Sequence, residues 1–161
     1  MSPDRQHHPE EPAIPPVARL VGFASLIPFV WGAATTLNMD LQFWALDTLG
    51  SRFVGPYVQV FYGGVILSFS SGMLWGFATR AEPAGRAATG YVLAALPALW
   101  VFLAATGGPG IAALNLMVGY GGLILLDMMF SNWRLTPDWW MRFRLPLNLV
   151  AIACLATGAF R

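Results

Sequence analysis

"YVQVFYGGVILSFSSGMLWGFAT", residues Tyr57 to Thr79, runs for twenty-three residues without a charge. A helix of that length reaches about 35 Å, enough to cross the ~30 Å hydrocarbon core of a bilayer. The stretch nevertheless carries Gly63, Gly64, Ser68, Ser70, Ser71, Gly72 and Gly76. Gly64, Ser68, Gly72 and Gly76 fall four apart, on one stripe of the helix. Small residues at this spacing let a second backbone approach closely, so the stripe predicts a helix-packing seam. Ser70 and Ser71 can bond their own helix carbonyls and require no ligand.

Working outward, four further segments approach membrane-crossing length: Leu20 to Leu37, Ala87 to Thr106, Ile111 to Phe130 and the shorter Leu145 to Phe160. The composition agrees. Of 161 residues 57% are apolar and 11% are charged, against about a quarter charged in soluble domains. The fold class read from this pattern is an all-α integral membrane protein with five transmembrane helices and short interfacial helices. Residues 17–161 form one helical domain. Residues 1–16, "MSPDRQHHPEEPAIPP", are rich in Pro and acids and read as a disordered tail, not a secretory signal. His7 and His8 within it read as solvated side chains. Pro28 and Pro97 predict kinks in the first and third spans.

Two connections look structured. In "NMDLQFWALDTLGSRFVGP", from Asn38, the apolar residues Leu41, Trp44, Ala45, Thr48 and Leu49 recur at helical spacing. They predict an interfacial helix anchored by Trp44. In "SNWRLTPDWWMRFRLP", from Ser131, Thr136 is placed to cap a helix, with Pro137 and Asp138 in its first turn. Trp139 and Trp140 are expected at headgroup level, as is Trp75 on the second span. "TGGPG", Thr106 to Gly110, reads as a tight turn.

All nine basic residues are Arg. With five spans, Arg5, Arg19, Arg80, Arg86, Arg134, Arg142 and Arg144 share one side, and Arg52 and Arg161 lie on the other. The positive-inside rule then puts the N terminus in the cytoplasm and the C terminus outside, in an inner (cytoplasmic) membrane.

Asp127 is the one acid within a span. A carboxylate there must find water, a donor or a cation. Arg142 and Arg144 on the same side make an Asp127–Arg ion pair the expected solution; a proton or cation relay is the functional alternative. Enzyme constellations are missing. No His lies in a span, Cys154 stands alone, and no two acids share a face. The expectation is therefore a non-enzyme with no catalytic, cofactor or metal site. Its partners would be the lipid bilayer and other membrane proteins, not nucleic acid, with any small-molecule substrate unknown.

Several stretches taken together resemble a known family. They are "LIPF" at Leu26, "YGGVILSFSSGMLWG" at Tyr62, "LPALWVFLA" at Leu96, "LILLDMM" at Leu123 and "WWMRFRLPLNLV" at Trp139. The family is a group of small proteobacterial inner-membrane proteins of unknown function that also includes a vertebrate mitochondrial protein (transmembrane protein 69-like). The resemblance covers about Val17 to Phe160. Its clearest marks are Gly-x-x-Trp-Gly at Gly72 to Gly76 and Arg-x-Arg-Leu-Pro at Arg142 to Pro146. Family members often carry His where this chain has Leu74, so the resemblance implies no metal or catalytic role at that position. It implies architecture and location. Together with the small-residue stripe, the short loops and the missing catalytic groups, it points to an accessory, assembly or scaffold role in a membrane complex, with an energy-transducing one the partner by analogy. A small transporter or channel using Asp127 and the second-helix serines is the alternative.

Overall fold

The computed structural model describes residues 13–161, and every regular element among them is helical. We number the α-helices α1 (Pro16–Ala24), α2 (Ile27–Leu37), α3 (Met39–Leu49), α4 (Gly55–Ala78), α5 (Ala84–Ala104), α6 (Pro109–Asn132) and α7 (Trp140–Ala159). A single 3-10 turn, Ser51–Phe53, precedes α4. The expected tail, with His7 and His8, falls largely on residues 1–12, outside the described residues.

Among the described residues, four stretches are long and apolar enough to cross a membrane: Pro16–Leu37 (α1 with α2), Gly55–Ala78, Ala84–Ala104 and Pro109–Asn132. Helix α7 is 20 residues long, but Arg142 and Arg144 sit in its first two turns. The uncharged remainder, Leu145 onward, reaches about 22 Å as a helix, short of a ~30 Å core.

Helix α4 packs against α2, α5, α6 and α7, and α7 closes the bundle against α2 and α6. The surface is apolar where a soluble protein would be polar. Phe69 is 63% exposed, Phe102 79% and Leu125 67%, while Thr35, Gln59, Ser70, Asp127 and Asn148 are buried. Lipid is as apolar as a protein core, so such a bundle gains little by hiding its large side chains. It must instead satisfy its polar groups internally.

The two ends of the bundle are distinct. At one end, Gly22 of α1 lies against Phe143 of α7. The Arg80 guanidinium donates to the Leu135 carbonyl, and Arg86 lies 5.9 Å from the Trp133 ring centre. At the other end, Arg161 donates to the Thr36 carbonyl, and Gly158 lies against Pro56.

Prolines act differently along the chain. The first span is broken, with Ser25 and Leu26 between α1 and α2 and Pro28 in the first turn of α2, where its missing N–H costs nothing. Helices α5 and α7 continue through Pro97 and Pro146. The connection from Asn38 is helical as expected: Asn38 caps α3 by accepting from the Leu41 N–H at 3.0 Å.

Thr136 does not cap α7, which begins at Trp140. The turn before it is set instead by the end of α6. Leu135 N–H bonds the Phe130 carbonyl at 3.1 Å, Arg134 N–H bonds that of Ser131 at 2.9 Å, and Arg134 has φ +56°. These are the two bonds of a Schellman motif, with an Arg where Gly is usual. The motif reverses the chain and brings Trp140 back beneath the last turns of α6.

Candidate functional site

Asp127 is the centre of a buried polar cluster. It is 1% exposed, on the inward stripe of α6 that also holds Leu116, Tyr120, Leu123 and Phe130. Trp140 donates from Nε1 to Asp127 Oδ1 at 2.9 Å. Arg144 Nε stands 3.5 Å from Oδ2, and Asn148 Nδ2 donates to Oδ2 at 3.5 Å. Arg144 Nη2 donates to Ser70 Oγ at 2.7 Å, and Ser70 donates to the Ile66 carbonyl at 2.8 Å. The Arg144 guanidinium also lies 5.4 Å from the Trp140 ring centre. Three helices, α4, α6 and α7, thus meet at one matched pair of charges.

Arg144 is the cation that meets Asp127 and is buried; Arg142 lies on the exposed side of α7. Trp140 corrects the expectation of a headgroup anchor: it is 7% exposed and donates to the carboxylate. Position on the helix explains this, because residues 140, 144 and 148 repeat every four and share one face of α7. Trp139 stays half-buried beside it. Trp44 and Trp75 are exposed, Trp75 with its ring centre 4.9 Å from that of Tyr91.

The serines of α4 do more than bond their own helix. Ser70 accepts from Arg144, and Ser71 donates to the Ala94 carbonyl of α5. The seam of small residues is divided. A Cβ at Gly64 would meet Val101 of α5 at 3.2 Å, and Ser68 is half-buried, but a Cβ at Gly72 or Gly76 would meet nothing within 4 Å. The inward stripe of α4 is a different set of residues from the small-residue seam: Gly63, Leu67, Ser70, Ser71, Leu74 and Ala78.

Three buried polar residues strengthen the other half of the bundle. Gln59 Nε2 donates to the Phe29 carbonyl at 3.1 Å and the Cys154 carbonyl at 2.8 Å, tying α2 to α7 through α4. Thr35 Oγ1 accepts from the Gly55 N–H at 2.8 Å, and the Tyr120 hydroxyl donates to the Gly63 carbonyl at 3.0 Å. The sequence alone singled out neither Gln59 nor Asn148. A readable signal was available for Asn148, which continues the Trp140–Arg144 spacing. Beside the cluster lies a void of about 20 Å³, walled by Ser25, Tyr120, Arg144 and Asn148 among others, large enough for one water.

Among the described residues, fold and site together define an all-helical bundle with four stretches of membrane-crossing length and composition, pinned internally by a buried ion pair. The chain belongs to the family described as protein of unknown function DUF3429, which matches residues 14–160. No curated protein and no solved structure shows a significant match.

Proposed function

We propose that the protein crosses the inner (cytoplasmic) membrane five times and acts without catalysis, as an accessory, assembly or scaffold component of a membrane complex. The supporting observation is the outward half of the α4 seam. Gly72 and Gly76 are exposed, and a Cβ on either would touch nothing. Small residues four apart on an open face permit close approach of another chain's helix. Helix α7 makes the fifth crossing, with Arg142 exposed at its cytoplasmic end and Arg144 turned inward onto Asp127. An energy-transducing complex is a fitting partner by the family resemblance alone.

The alternative, a transporter using Asp127 and the α4 serines, finds less support. The carboxylate faces two hydrogen-bond donors and one guanidinium, and Ser70 and Ser71 each have partners. Such a cluster suits a fixed clamp better than a moving ion.

The docking face is tested with Gly72→Leu and Gly76→Leu. Both should leave expression and melting temperature unchanged while removing a partner that co-purifies with the wild type in mild detergent. Partners retained in both variants would refute this face as the docking site.

A further inference from the structure

A groove of about 500 Å³ runs between α1, α4 and the start of α7. Its walls include Val21, Gly22, Ile66, Phe69 and Leu147, and Arg144 lines it from the buried cluster. We propose that this groove holds one acyl chain of an anionic phospholipid, with an ester carbonyl accepting a hydrogen bond from Arg144 and the phosphate outside, near Arg19. The inference rests on the bundle being embedded in a membrane.

Four observations lead to this occupant. First, the volume lies within the ~300–1,000 Å³ of small-molecule sites, and the walls are mostly apolar. Second, apolar residues that line the groove are also exposed on the surface of the bundle, Val21 61% and Phe69 63%, so what enters it comes from the hydrocarbon phase. Third, Arg144 is already matched by Asp127. A neutral acceptor can join that pair without adding an unmatched charge, whereas an anion at the same depth would be left uncompensated. An ester carbonyl meets that condition. Fourth, Arg19, next to the groove-lining Ala18, is exposed at the end of the bundle that also carries Arg80, Arg86 and Arg134. Cations at headgroup level attract anionic lipid. Arg144 also walls the 20 Å³ void, so the groove reaches the polar cluster directly.

The test is native mass spectrometry of the intact protein after delipidation in mild detergent and addition of phosphatidylglycerol or phosphatidylcholine. The wild type should retain a phosphatidylglycerol adduct and hold phosphatidylcholine less well. Val21→Trp fills the groove from an exposed position and should lower retention by about tenfold, while Phe102→Trp on α5 should not. Arg19→Gln should remove the preference for the anionic lipid and leave the chain folded. The proposal is overturned if Val21→Trp, with an unchanged melting temperature, retains the wild-type amount. It is also overturned if the two lipids bind equally, or if the adduct carried from cells is not a phospholipid. A C-terminal topology reporter separates this failure from failure of the five-crossing reading.

Discussion

The Asp127–Arg144 pair shows how a single residue acquires its meaning from its partners. Either ion alone in an apolar interior is costly; together, with Trp140, Asn148 and Ser70 supplying hydrogen bonds, they connect three helices. Removing one member leaves the other buried and uncompensated, at about 3–5 kcal/mol, whereas removing both costs much less. Arg144→Met should therefore lower the melting temperature in detergent more than the double variant Asp127→Leu/Arg144→Met. Equal or greater loss in the double variant would show that the pair contributes net stability of its own. The sequence already placed Asp127 beside an arginine of the same side. It did not choose between Arg142 and Arg144, because two residues apart on a helix means opposite faces, and which face turns inward depends on how α7 is rotated.

Glycines decide how closely the helices pack, and their positions on α6 make this measurable. A Cβ on Gly119 would meet Leu67 of α4 at 2.7 Å and Trp100 of α5 at 2.8 Å, while a Cβ on Gly122 would meet nothing within 4 Å. Gly119→Ala should destabilise the protein by about 1–3 kcal/mol through overpacking. Gly122→Ala should be neutral or stabilise it by up to ~1 kcal/mol, because Ala is the better helix former. Thermal unfolding of both variants in one detergent reads the contrast; similar melting temperatures would contradict the α4–α6 contact. On α5 the inward residues are Gly90, Ala94 and Pro97, a small-residue face that meets Ala78 and Ser71 of α4. The length of the apolar runs located these helices to within a few residues. It left the inward face of α4 open, because a helix without charges has no strongly polar side to mark the outside.

For the whole molecule, the distribution of arginine governs orientation. Arg80, Arg86, Arg134, Arg142 and Arg144 gather at one end of the bundle, and Arg52 and Arg161 lie toward the other. A reporter active only in the cytoplasm should work when fused to the N terminus and fail at the C terminus. Activity at both ends would mean an even number of crossings, with α7 lying along the cytoplasmic face. That outcome is physically distinct because the uncharged part of α7 is the shortest of the apolar stretches, and Arg142 and Arg144 must remain near water or a counter-ion.

Composition and spacing alone determined the helical class, the four stretches of membrane-crossing length, the helix that follows Asn38 and the need to neutralise Asp127. These follow from local quantities: the length of an apolar run, the position of a cap, the cost of a lone charge in a low-dielectric medium. Tertiary structure alone decided that Trp140 is buried, that Ser70 completes the cluster, that Gln59 joins α2 to α7, and that Gly72 and Gly76 face outward. In a bundle whose inside and outside are equally apolar, hydrophobic patterning does not fix helix rotation, so the side each residue faces is settled by the packing of all the helices together.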